Sequence, residues 1–280
     1  MNRELLRKVQ LTQLDIAKEI KRVCDENGIK YFLCCGTLLG AVRHGGFIPW
    51  DDDLDIGMLR ADYETFCKVA PKALKSEYFL QNWHTEPAYA LPFGKVMRRN
   101  TVYLEKKKTT KLQGNGIYVD IFPFDYVPVD MYQRMKLARK LMHLFRTKLM
   151  KSNYQPWMNE DRIVWKKRLG YLYYQAKALF ASNSELIEKF DVLVKSSPES
   201  SVLIRQDGIA NQEFYESRWF EVLQMRKFED EEFPVPEEYD AILTAQYGDY
   251  MQLPPENERE NRHQIYQVSF GEENRIFGGV

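Results

Sequence analysis

Four carboxylates crowd into five residues at Asp51-Asp52-Asp53-Leu54-Asp55. Such a run repels itself strongly unless a cation compensates. Leu54 and Ile56 alternate with Asp53 and Asp55, so a strand over 53–57 buries the aliphatics and points both acids to one side. Asp51 continues that period if the strand extends back, and Asp52 points the other way. Hard oxygen ligands on a rigid strand suit Mg²⁺ or Mn²⁺. A solvated acidic turn is one alternative. An EF-hand loop is another, with Asp51, Asp53 and Asp55 at its first, third and fifth positions. Its sixth position needs glycine and holds Ile56, and its twelfth needs glutamate and holds Asp62. The flanking residues favour a catalytic metal site instead.

About fifteen residues upstream stands Leu33-Cys34-Cys35-Gly36-Thr37-Leu38-Leu39-Gly40. A strand that ends in Gly-Thr and opens a helix presents backbone N–H groups and a hydroxyl to phosphate. Gly36 and Thr37 are the expected cradle. Arg43 is a candidate phosphate clamp, with a plain surface arginine as the equal alternative. A third acid is expected from a neighbouring strand. Asp120 supplies it as the only acid within the apolar run Gly116–Pro123. Buried aspartate needs a cation or hydrogen-bond partners, so a structural aspartate bonded to backbone stays open as the alternative.

The elements that must position these groups are legible in outline. Apolar spacing predicts helices over 4–26, 38–42 and 60–69, with Gly28 ending the first. Short runs predict strands at Tyr31–Cys35, Asp53–Gly57 and Ile117–Phe122, the last ended by Pro123. Gly94–Arg98 and Thr101–Leu104 read as two strands around a turn. Helices are expected over 131–150, 160–180 and 183–194, the last capped by Asn183 or Ser184. Strands follow near 201–205 and 222–228. Pro236 then opens a helix that runs to Tyr247 and ends at Gly248. This order predicts an α+β fold with a mixed sheet and a helical insertion.

Composition narrows the class. Hydrophobic residues at 44% and charged residues at 29% suit a folded soluble protein. The net charge of +0 gives no global field for nucleic acid, and none is expected as a partner. Charge is uneven, however. Residues 131–180 hold twelve Lys/Arg and two Asp/Glu, whereas 181–280 hold nine and twenty-one. The charged N-terminus does not read as a signal peptide, and no apolar run reaches a membrane span. Cys24, Cys34, Cys35 and Cys67 form neither a Cys-x-x-Cys pair nor a disulfide framework, so reduced cysteines in a cytoplasmic protein are expected.

The stretch GTLLGAVRHGGFIPWDDDLDIGM, then RADYETF, then GIYVDIFPFD, resembles the LicD family. The tail YGDYMQLPPENERENRH resembles that family's C-terminal signature. The match is dense over about 30–126 and 219–263 and loose between. The resemblance implies a nucleotidyltransferase-fold core over 1–128, a basic helical insertion over 129–200, and a segment over 201–280 that completes the active site. It also implies a bacterial phosphotransferase, distantly similar to fukutin and the fukutin-related protein. The implied reaction moves phosphocholine from CDP-choline to a sugar hydroxyl of a cell-surface glycan, lipopolysaccharide or teichoic acid precursor, releasing CMP. By the same resemblance Asp53 and Asp55 hold the metal and Asp51 helps. Asp120 binds a second metal or takes the acceptor's proton, Gly36 and Thr37 cradle phosphate, and Lys95 meets phosphate or nucleotide. No zinc is expected, because the cysteine cluster of the fukutin-related relative has no counterpart.

Choline is a quaternary ammonium and favours aromatic surroundings. Trp50, Trp83, Tyr89, Tyr118, Phe124 and Trp219 are the candidates. CDP-ribitol and CDP-glycerol stay open as donors, as do nucleotidyl transfer itself and an inactive glycan-binding scaffold. The basic segment 131–180 is expected to rest on the inner face of the plasma membrane, where a lipid-linked acceptor would be presented.

Overall fold

The computed structural model describes residues 1–105, 115–154, 165–205, 213–261 and 265–271. Helix α1 (Arg3–Asn27) starts where the Asn2 side chain accepts from the Leu5 N–H, and it ends at Gly28 with φ 64. Its stripe of Val9, Ile16, Ile20 and Val23 is fully buried. Strand β1 (Phe32–Leu33) is short because α2 (Cys35–Arg43) begins three residues before the predicted Leu38. Strand β2 (Asp55–Leu59) and helix α3 (Arg60–Ala73) follow. Residues 51–54 precede the strand, so Asp53 belongs to the approach to β2 rather than to β2 itself.

Next come β3 (Tyr78–Gln81), which the sequence pattern does not announce, then β4 (Gly94–Arg98), β5 (Val102–Glu105) and β6 (Tyr118–Tyr126). The main sheet is mixed, with order β1-β2-β6-β4-β3. Among the described residues its one parallel pairing joins β2 to β6. Helices α1 and α3 pack against each other and against these strands. The expected β4–β5 hairpin does not form. Both edges of β4 are taken by β3 and β6, and β5 pairs instead with β11 (Ile265–Ser269).

Pro123 does not end β6. The Asp120 N–H donates to the Leu54 carbonyl on the β2 side, so alternation turns residue 123 toward the opposite edge. There β4 pairing stops at Ile121 and pairing with β7 (Val202–Arg205) starts at Phe124, so no ladder donor is needed between them. Strand β8 (Phe214–Glu216) lies beside β7. Strands β9 (Leu223–Phe228) and β10 (Glu231–Pro236) form a separate ribbon. Pro236 therefore closes a strand rather than opening a helix, and α7 (Tyr239–Tyr247) begins three residues later.

Between β6 and β7 stand α4 (Met131–Lys151), α5 (Trp165–Phe180) and α6 (Asn183–Val194). The predicted start of α5 at 160–164 lies outside the described residues. The cap of α6 is Ser182, whose hydroxyl accepts from the Glu185 N–H, rather than Asn183 or Ser184. Leu137 and Leu141 of α4 meet Ile187, Phe190 and Val194 of α6 in a second apolar cluster that includes Trp83 and Tyr89. Lys148 is buried under this layer and donates to the Tyr89 carbonyl and the Ser152 hydroxyl. The layer leaves and rejoins the sheet at one point. There the Val127 N–H donates to the Val202 carbonyl at 3.0 Å and the Ser200 hydroxyl to the Val127 carbonyl at 2.7 Å. Among the described residues no helix is long and apolar enough to cross a membrane.

Candidate active site

Asp55 on β2 stands opposite Asp120 on β6, and Asp120 stands opposite Lys95 on β4. Residues in register point to the same face, so the three side chains form one row across three strands. With Asp53 they line a cleft of about 520 Å³. All three members of the row are buried. The Lys95 ammonium pairs with the Asp120 carboxylate and lies 3.4 Å from the centroid of the Tyr118 ring.

The acidic loop is held from behind. Gln10 on α1 donates to the Asp51 carbonyl at 2.9 Å, and Gln13 to the Asp52 carbonyl at 3.0 Å. The Tyr103 hydroxyl reaches the Asp52 carbonyl at 3.1 Å and its carboxylate at 3.3 Å. Asp52 is fully buried, yet one carboxylate oxygen from each of Asp51, Asp52 and Asp53 lies within 4.8 Å of the others. Asp52 thus lies closer to Asp51 and Asp53 than strand alternation predicts, because 51–54 are not strand. Asp51, Asp52 and Asp53 converge at the loop, whereas Asp53, Asp55 and Asp120 converge on the cleft. The second set shares one open volume with two cations, Lys95 and Arg205.

The far wall comes from the C-terminal part of the chain. Arg205 ends β7, and its guanidinium meets the Cys35 thiol and, at 3.2 Å, the Glu213 carboxylate. Gln246 of α7 donates to the Tyr215 hydroxyl at 2.8 Å. Burial pushes the Asp55 carboxyl well above the usual carboxylate range. The charges of Asp53, Cys35 and Asp120 push the same way, and Arg205 opposes them. A bound cation would reverse that balance and hold Asp55 ionised.

Several sequence-predicted residues lie elsewhere. A Cβ on Gly36 would come within 2.6 Å of an Asp51 carboxylate oxygen, so an acid occupies the space expected for phosphate beside α2. The Thr37 hydroxyl accepts from the Asp55 N–H at 2.8 Å, which fixes the start of β2. Arg43 donates to the carbonyls of Tyr250 and Gln252 at 2.6 and 3.3 Å. Trp50 stacks beneath Arg259, and its carbonyl accepts from Asn261. Gly36, Thr37, Arg43 and Trp50 thus brace the loop and the C-terminal segment, and none lines the cleft. Of the aromatic candidates Tyr118 lines it, while Trp83, Tyr89 and Phe124 are buried in cores and Trp219 packs against one.

Buried carboxylates and two cations around one open cleft define a site that can take a divalent cation together with an anionic ligand. Residues 28–156 match the family described as LicD/FKTN/FKRP, nucleotidyltransferase domain. This matched segment holds Asp53, Asp55, Lys95 and Asp120, so the chain carries a domain of the LicD type. It is 29% identical over 271 residues to Lipopolysaccharide cholinephosphotransferase LicD of Haemophilus influenzae, covering 94% of this chain and 97% of that one. It is also 44% identical over 48 residues to Ribitol 5-phosphate transferase FKRP of Homo sapiens and of Mus musculus, covering 17% of this chain and 10% of each relative.

Proposed function

We propose that this chain is a metal-assisted phosphotransferase that moves phosphocholine from CDP-choline to a sugar hydroxyl of a glycan precursor and releases CMP. The observation that carries the reading is the row Asp55–Asp120–Lys95, with Asp53, facing Arg205 across one cleft. The near full-length similarity to a cholinephosphotransferase supports the donor head group. The donor set is all carboxylate oxygen, which fits Mg²⁺ or Mn²⁺, and Asp53 and Asp55 would hold it with help from Asp51. When bound, that ion supplies positive charge to the pyrophosphate oxygens. Lys95 and Arg205 add fixed positive charge to the walls, where transfer builds negative charge on the leaving CMP. Asp120, oriented by Lys95, accepts the hydroxyl proton as the acceptor oxygen bonds to phosphorus and the bond to CMP breaks.

The short match to a ribitol 5-phosphate transferase favours CDP-ribitol as the second donor to try. The test is incubation with CDP-choline, CDP-ribitol or CDP-glycerol, Mg²⁺ and glycan acceptors, following CMP. CMP release that Asp53→Ala abolishes is expected. No CMP from any donor, or release untouched by Asp53→Ala, overturns the reading.

A further inference from the structure

Helix α5 is apolar on two opposite faces. Ala178, Tyr171 and Tyr174 turn inward and pack on α4. The outward face carries Leu169, Leu172, Tyr173, Leu179 and Phe180, at spacings that keep them within about a third of the helix circumference. Leu179 is 78% exposed and Phe180 90%. An apolar stripe left in water, on a helix whose opposite face is already packed, needs a second apolar medium.

The neighbouring surface says which one. On α4, Lys136, Arg139, Lys140 and Arg146 are exposed and recur at helical spacing, with His143 among them. Residues 131–150 contain no acid at all. The two stripes run side by side, joined where Lys177 meets His143 at 2.8 Å and the His143 ring lies 5.7 Å from that of Tyr173. An apolar stripe bordered by a cationic one is the pattern of a helix pair lying in the headgroup layer of an anionic bilayer. A second copy of the chain fits worse. A two-fold contact through α5 would set one basic stripe near its twin.

We infer that the α4–α5 surface docks on anionic lipid membranes, with the leucines and Phe180 of α5 entering the interface and the α4 cations meeting headgroups. The inference does not rest on the transfer reading, and its test measures binding alone. The full chain is sedimented with phosphatidylcholine vesicles, with and without phosphatidylglycerol. Binding only to the anionic vesicles, weakening with salt, is the expected result. The quadruple change Lys136→Gln, Arg139→Gln, Lys140→Gln and Arg146→Gln lowers partitioning by about a hundredfold or more. The triple change Leu172→Gln, Leu179→Gln and Phe180→Gln lowers it by at least about tenfold. All seven side chains are exposed, and matching thermal melts confirm that the variants fold. No sedimentation with either vesicle, equal sedimentation with both, or loss of self-association in the triple variant without vesicle binding in the parent overturns the inference.

Discussion

At the cleft, carboxylates and an ammonium group are taken out of water, whereas on α5 leucines and a phenylalanine are left in it. Both arrangements invert the usual partition of side chains. In the cleft the inversion is tolerated because each buried charge faces another. Lys95 meets Asp120, and Arg205 meets Glu213. Asp55 is the exception, since its nearest charged neighbours are mostly negative. On α5 the side chains of Leu169, Leu172, Leu179 and Phe180 stand exposed. The imbalance in each region points outward: toward a cation at Asp55 and toward an apolar phase at Phe180.

The contrast can be broken or sharpened by substitution. The largest effect is expected at Asp55→Asn, which should lower CMP release by about a thousandfold or more while the melting temperature holds or rises. A variant that keeps full activity would remove Asp55 from the chemistry. Lys95→Met strands the buried Asp120 carboxylate and should cost about 3–5 kcal/mol in urea unfolding. Lys148 tests the helical layer's own buried charge. Burial lowers its ammonium to about 7, against 10.5 for the free side chain. Between those values the unfolded chain binds the extra proton, so stability rises with pH. Lys148→Met should flatten that slope and stabilise the protein by about 2–4 kcal/mol at neutral pH, read from melts across the range. Gly57→Ala drives a Cβ into the Phe32 ring and should cost about 1–3 kcal/mol. Leu172→Ser, on the exposed stripe, should change stability by no more than about 0.5 kcal/mol. A larger loss there would mean that α5 is covered in solution.

Charged residues inside apolar runs made half of the cleft legible. Asp53 and Asp55 stand out in a dense acidic run that alternates with aliphatics, Asp120 as the only acid of an apolar strand, and β4 is bounded by its own residues at Gly94 and Arg98. Arg205 carries the same signal, one cation closing Val-Leu-Ile, but four residues are too few to announce it. Glu213, Tyr215 and Gln246 reach the cleft only through the pairing of β7 with β8 and the packing of α7, which spacing cannot express. Gly36 and Thr37 were readable as a special turn, but not as one that an aspartate already fills. Arg43 and Trp50 read as ligand groups because their partners, the carbonyls and side chains near 250–261, are two hundred residues away. The missed strands β3, β8, β10 and β11 span three to six residues each and owe their form to a neighbour rather than to their own pattern.

The hydrogen bonds that join Val127 to Val202 and to Ser200 also bear on how this chain could change over time. They bring the two ends of a long excursion to adjacent positions on paired strands. Whatever lies between can be lengthened, shortened or exchanged for a tight turn without moving Asp120 on one side or Arg205 on the other. The helical layer is thus a cassette plugged into the sheet that carries the cleft. A shortened chain that replaces it with a turn, with Trp83 and Tyr89 made polar where they are uncovered, is expected to keep the row Asp55–Asp120–Lys95 and to lose both the Tyr154 wall of the cleft and the surface that α5 presents. Reaction and address would then be separable parts of one molecule.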